Sequence, residues 1–138
     1  MLNFLKKKES INWDNYPNFS PEEFACQHCG ENGISELLLD KLQLLRTKLG
    51  FPFKITSGYR CKDHPLEKKK VNPGAHRDGL AADIGVRGYK AYEIITHAEK
   101  FGFTGIGVAQ KGDSRFIHLD LLNFSFFEKH SLICFSIL

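Results

Sequence analysis

The sequence predicts an α+β domain, in which a small antiparallel sheet is flanked by helices. Leucines recur at spacings of four, three and four between residues 38 and 49, which is typical of one face of a helix. A second apolar stripe of helical period runs from Tyr89 to Phe101. Apolar and polar side chains alternate, as in half-buried strands, along residues 53–57, 80–86 and 115–122.

The composition fits one globular domain. Of the 138 residues, 42% are hydrophobic and 25% are charged, which excludes a mainly disordered chain. A net charge of +3 is too small to indicate a nucleic-acid partner. No apolar run reaches the roughly 18 residues of a membrane helix, and the lysines at 6–8 are followed by polar residues rather than by a signal-peptide core. We therefore expect a monomer without a membrane span, made in the cytoplasm without a signal peptide.

Three segments are expected along the chain. Residues 1–18 have no periodicity and are predicted to form an N-terminal arm, with Trp13 and Tyr16 packed onto the domain. Residues 19–122 form the predicted domain. Residues 123–138 form a C-terminal tail whose structure the sequence does not predict.

Turn and cap residues mark the predicted helix ends. Ser20, Pro21 and Glu23 form a capping box with a proline in the first turn, which predicts a short helix. Ser35 is expected to begin the leucine-rich helix, and Gly50 to end it. The polar stretch 62–79 is too long for an ordinary connection, and such loops are usually functional or disordered.

His76, Asp83 and His118 are the first candidate functional residues. Two imidazoles and one carboxylate leave the fourth position of a tetrahedral zinc ion open, which is the stoichiometry of a catalytic site. The three residues come from a loop and two separate strands, so they converge only if the sheet folds as predicted.

Three strings in the sequence resemble the ordered signature of the M15 zinc peptidases. They are S-G-Y-R-C at 57–61, A-H-R-D-G-L-A-A-D-I at 75–84 and F-I-H-L-D at 116–120. In that family S-G-Y-R, H-x-x-G-x-A-x-D and a late H-x-D occur in this order. The resemblance covers about residues 19–121 and is nearest to the D-alanyl-D-alanine carboxypeptidase-like group, which includes phage cell-wall enzymes.

The resemblance implies a zinc peptidase with the fold shared by hedgehog and D-Ala-D-Ala peptidases. His76, Asp83 and His118 would bind Zn²⁺, and a zinc-activated water would hydrolyse peptide bonds in peptidoglycan stem peptides. Arg60 would stabilise the oxyanion or hold a substrate carboxylate. Such an enzyme acts on the wall in lysis or remodelling, after cell lysis or delivery by a virion. The bond cut, and whether it is internal or terminal, stay open.

Two positions depart from the family pattern. Many relatives have an acidic general base three residues before the last histidine, where this chain has Arg115. Asp120, on the same strand face as His118, is the preferred base, and Asp113 in the preceding turn is the alternative. Gly74 stands where relatives often have serine. These departures motivate the alternative of a catalytically impaired binding or virion structural module that recognises the cell wall, as hedgehog keeps the fold for signalling.

A second metal site is indicated by cysteine spacing. Cys26 and Cys29 form C-x-x-C, and Cys61 with His64 forms C-x-x-H. Together they have the stoichiometry of a closed structural zinc site. Free thiols or a disulfide are the alternatives.

Overall fold

The computed structural model of the protein describes residues 10–72, 74–122 and 134–138, and it confirms the α+β class. The helices are α1 (Pro21–Phe24), α2 (Glu36–Leu49), α3 (Pro65–Lys68) and α4 (Tyr89–Ala98). The strands are β1 (Lys54–Ser57), β2 (Ala81–Gly85), β3 (Gly105–Ala109), β4 (Phe116–Asp120) and β5 (Cys134–Ile137). Within these described ranges, every helix is too short or too polar to cross a membrane.

The five strands form one sheet in the order β1-β2-β4-β3-β5. The first four pair antiparallel, as predicted, whereas β5 pairs parallel to β3 at one edge. The β5 strand and its parallel pairing were not predicted, because the sequence located no strand after residue 122. The central strand is β4, and its residue His118 lies opposite Asp83 on one side and Gly107 on the other.

The helix ends follow the sequence closely. Ser20 donates its backbone N–H to Glu23 at 2.7 Å, which completes the predicted capping box. Gly50 ends α2 in the left-handed conformation, with φ of +75°. The α3 helix, within the long polar loop, was not predicted. It begins after His64, whose Nδ1 accepts the N–H of Leu66 at 3.1 Å.

The core lies on one face of the sheet. Its fully buried side chains include leucines of α2 and, from α4 and the strands, Ile94, Ile84, Ile117 and Leu119. Tyr16 is 3% exposed and packs in the same cluster with Trp13 beside it, which confirms the expected packing of these two aromatics. The boundary at residue 18 stays a prediction, and the calls on residues 1–9 and 123–133 lie outside the described residues.

Strand alternation places the polar side chains of β2 and β4 on the other face. Ile84, Ile117 and Leu119 point into the core, so Asp83 and His118 point away from it.

Candidate active site

The strands β2 and β4 bring Asp83 and His118 side by side. His118 Nδ1 lies 2.8 Å from Asp83 Oδ1. His76 comes from the loop before β2, and its Nε2 lies 3.2 Å from the same carboxylate oxygen. The three side chains each place one ligand atom within 4.8 Å of the others. The structure therefore assembles the three candidate metal ligands around one point.

The far nitrogen of each imidazole also faces an oxygen. His76 Nδ1 lies 2.7 Å from the carbonyl oxygen of Gly58, so it must carry a hydrogen and donate. His118 Nε2 lies 2.8 Å from Asp120 Oδ2. Each ring therefore has an oxygen acceptor beside both of its nitrogens. This arrangement is satisfied if both histidines are imidazolium ions. It is also satisfied if a cation lies between His76 Nε2, His118 Nδ1 and Asp83. The donor set therefore fits a divalent metal ion.

Burial and hydrogen bonding act in opposite directions on the site's ionisable groups. Burial by itself would raise the pKa of Asp83, but hydrogen bonds with His118 and His76 hold that pKa well below its usual range. Burial would lower the pKa of His118, but hydrogen bonds with Asp120 and Asp83 outweigh it and raise the pKa to about 9. Positive charge is therefore strongly favoured between the two carboxylates.

Arg60 lies in the turn after β1 and reaches the same carboxylate. Its terminal nitrogen lies 3.3 Å from Asp83 Oδ2, and its Nε donates to Ser57 Oγ at 3.0 Å. The guanidinium has five N–H donors, of which these bonds use two. Because Arg60 holds Oδ2 of Asp83, Oδ1 is left to the two imidazoles.

The two carboxylates predicted as alternative general bases lie in different places. Asp120 is 7% exposed and adjoins His118, with its Oδ1 accepting the N–H of Leu122 at 3.1 Å. Asp113 is exposed in the turn before β4 and lines a separate cleft together with Arg87 and Arg115. The structure therefore brings Asp120 to the candidate metal ligands and does not bring Asp113 to them.

The candidate ligands line a cleft of about 390 Å³. Among its described lining residues, Asp83 and Asp120 are the carboxylates. Sequence reasoning missed part of the lining, namely Leu66, Lys70, Ile106, Ser136 and Leu138. The last two belong to or follow β5, whose segment has no alternation that could have placed them.

Gly74, a departure from the family pattern, has its side-chain space filled by neighbours. A Cβ at this position would lie 2.7 Å from Lys70 Nζ and 3.1 Å from Glu67 Oε1. The backbone N–H of Gly74 donates to the buried carboxylate of Glu67 at 3.2 Å. A Glu67–Lys70 ion pair thus occupies the position of the expected serine side chain.

The second predicted metal cluster forms only in part. Cys26, Cys29 and Cys61 bring their sulfurs within 4.8 Å of one another. His64, the fourth predicted ligand, is not in this group, because its ring is turned to accept the first N–H bond of α3. The four-residue closed site is therefore corrected to a group of three thiols.

Comparison with known proteins identifies the family. The sequence profile described as Peptidase M15 matches residues 17–120, which is most of the chain. The chain belongs to the M15 peptidase family. The matched range contains every residue of the candidate active site from Arg60 to Asp120. In a separate comparison, no curated protein sequence gives a significant match. M15 peptidases are zinc enzymes, and this member has a donor set that fits a metal ion.

Proposed function

We propose that this M15 peptidase hydrolyses peptide bonds in peptidoglycan stem peptides, with Zn²⁺ held by His76, Asp83 and His118. One observation carries the proposal: both imidazoles turn a nitrogen towards the same oxygen of a buried carboxylate while their other nitrogens are bound elsewhere. The substrate class comes from the resemblance to cell-wall peptidases.

The surrounding residues preorganise the ligands. The Gly58 carbonyl keeps the hydrogen of His76 on Nδ1, so Nε2 offers its lone pair to the centre. Asp120 likewise keeps the hydrogen of His118 on Nε2, so that Nδ1 offers its lone pair to the centre. Zinc bound at this point supplies a Lewis acid that polarises the scissile carbonyl and acidifies water.

Arg60 is proposed to bind negative charge on the substrate. It is charged at all relevant pH values and is fixed by Ser57 and Asp83 at the edge of the cleft. Its remaining donors fit either the oxyanion that develops at the scissile carbonyl or a substrate carboxylate.

If Asp83 binds the metal, Asp120 is the other carboxylate among the described residues of the cleft that can accept or donate a proton. Its contact with Nε2 of His118 gives it a positioning role in the present geometry. The general-base role predicted from strand alternation requires the carboxylate to leave His118 and turn towards the substrate. The two roles predict different effects of an Asp120→Asn substitution on zinc affinity and on rate.

The proposal is tested with defined stem peptides. Purified protein is incubated with a stem pentapeptide, a cross-linked muropeptide and an unrelated peptide of equal length, and the products are identified by mass. New ends at D-Ala-D-Ala, at L-Ala-D-Glu or in the interpeptide bridge would name the bond. Binding of the muropeptides without any new ends would favour the alternative binding module that recognises the wall.

A further inference from the structure

A short loop after α1 brings the sulfurs of Cys26 and Cys29 close together. The N–H of Cys26 donates to the backbone carbonyl of Glu31 at 2.7 Å, and the carbonyl of Cys26 accepts the N–H of Gly30 at 2.8 Å. Gly30 has a φ of +79°, which residues with side chains rarely adopt. The loop geometry is therefore held by the backbone, and both thiols are free for another role.

The turn after β1 packs directly against this loop. Tyr59 donates its N–H to the carbonyl of Phe24 at 2.8 Å. A Cβ on Gly58 would lie 2.6 Å from the Cα of Phe24, so this approach requires glycine. Two residues further on, Cys61 donates its backbone N–H to the sulfur of Cys26 at 3.3 Å. This packing brings the thiol of Cys61 close to those of Cys26 and Cys29.

We propose that Cys26, Cys29 and Cys61 bind a second zinc ion, separate from the candidate active site. Tetrahedral zinc binds sulfur at about 2.3 Å, which places the sulfurs about 3.8 Å apart. The three sulfurs already lie within 4.8 Å of one another, so only small side-chain movements are needed. A backbone N–H directed at the sulfur of Cys26 stabilises the thiolate that zinc requires.

The number of thiols favours a metal over a disulfide. Cys26, Cys29 and Cys61 all carry free thiols. A disulfide between any two of them would leave the third without a partner in the cluster, whereas one zinc ion binds all three.

The fourth ligand position opens to one side. Cys26 and Cys61 are buried, whereas Cys29 is exposed beside a cleft that His28 also lines. The His28 ring lies 6.4 Å from that of His64, between centroids. The cluster is therefore open to solvent on the side of Cys29.

The proposed zinc would join the loop after α1 to the turn that serves the active site. Arg60 immediately precedes Cys61, and Gly58 supplies the carbonyl that orients His76. We therefore expect the second metal to stabilise the fold and the positions of these groups without touching substrate.

Cobalt substitution tests this site without relying on catalysis. Cobalt bound by thiolates absorbs strongly in the near ultraviolet by sulfur-to-metal charge transfer, and cobalt bound by nitrogen and oxygen does not. A His76→Ala/His118→Ala variant, in which the candidate active site is removed, should still bind one equivalent of Co²⁺ with this band. Cys29→Ala should lose the band and one equivalent of metal, and Cys134→Ser is the matched control that should keep both.

Several results would overturn the proposal. The absence of a charge-transfer band in wild-type protein loaded with Co²⁺ under reducing conditions would refute it, and this measurement needs no variant to fold. A band that survives in Cys26→Ala, Cys29→Ala and Cys61→Ala alike would also refute it. A second zinc without peptidase activity would contradict only the proposed function, and activity without the band would contradict only the second site.

Discussion

His118 Nε2 lies 2.8 Å from Asp120 Oδ2, on the ring edge opposite the nitrogen that faces Asp83. The imidazole is thus held between two carboxylates, one of which belongs to the candidate metal centre. A carboxylate in this position fixes the ring orientation and increases the basicity of the ligand nitrogen. A change at Asp120 is therefore expected to act on the metal centre through His118.

Asp120→Asn separates the two roles of this carboxylate. Loss of a positioning carboxylate typically costs about 10- to 100-fold in metal affinity or activity, and we expect much of the activity to return at saturating zinc. Loss of a general base would lower the rate by about 10²- to 10⁴-fold with zinc still bound. Zinc titration of activity, with metal content measured in parallel, distinguishes these outcomes. Asp113→Asn is the matched control, and a loss of activity there but not in Asp120→Asn would contradict both roles.

Gly105→Ala should disturb Asp120 from the neighbouring strand. A Cβ at position 105 would overlap the carboxyl group of Asp120, which β3 places directly opposite. We expect the variant to lose stability and to mimic the metal-binding defect of Asp120→Asn. Urea unfolding of the single variants and of Gly105→Ala/Asp120→Ala provides a double-mutant cycle. If the destabilisation by Gly105→Ala persists in full without Asp120, the overlap does not explain it.

Arg60→Lys keeps the positive charge but removes the planar guanidinium with its paired N–H donors. We expect zinc to stay bound and turnover to fall by about 10²- to 10³-fold if Arg60 stabilises the oxyanion. If Arg60 instead holds a substrate carboxylate, KM should rise, and amidation of that carboxylate should remove the difference between wild type and variant. Equal kcat and KM in the two proteins would exclude both roles.

Periodicity predicted the elements that form the core. The leucine stripe of α2, the stripe of α4 and the alternation of β4 each follow from one buried face, so the sequence located them well. The β5 strand was not predictable, because an edge strand that pairs on one side, with Phe135 and Ile137 exposed, needs no buried face of its own. The connection that delivers it lies outside the described residues.

The sequence predicted which residues form the site better than it predicted which of their atoms are in contact. The alternation of side chains along β4 placed Asp120 on the same face as His118, but it does not predict which ring nitrogen of His118 contacts the carboxylate. The C-x-x-H spacing likewise made His64 available as a ligand, whereas the structure uses its ring to cap α3. Such choices depend on side-chain rotation, which residue spacing does not record.

Glu67 should make stability depend on pH. Burial would raise its pKa, but hydrogen bonds from Lys70 and from the Gly74 N–H hold the pKa below its usual value. Its stabilising effect is therefore fully present above the unfolded pKa of about 4.3 and is lost as the pH falls through the lower folded value.

Urea unfolding from about pH 7 to about pH 3 tests this expectation. Wild-type stability should fall more steeply than that of Glu67→Gln below about pH 4.5, because the variant has no proton to gain at this position. Glu99→Gln, which removes an exposed carboxylate, is the matched control. Parallel curves for wild type and Glu67→Gln would show that the ion pair between Glu67 and Lys70 contributes nothing to this pH dependence.

Digestion of purified peptidoglycan with and without a zinc chelator, followed by mass identification of the new ends, tests the proposed zinc peptidase activity. We expect new peptide ends with wild-type protein, their loss with chelator and their return on addition of zinc. His76→Ala should release none under any of these conditions. Equal release with and without chelator, or unchanged release by His76→Ala, would contradict a metal-dependent peptidase.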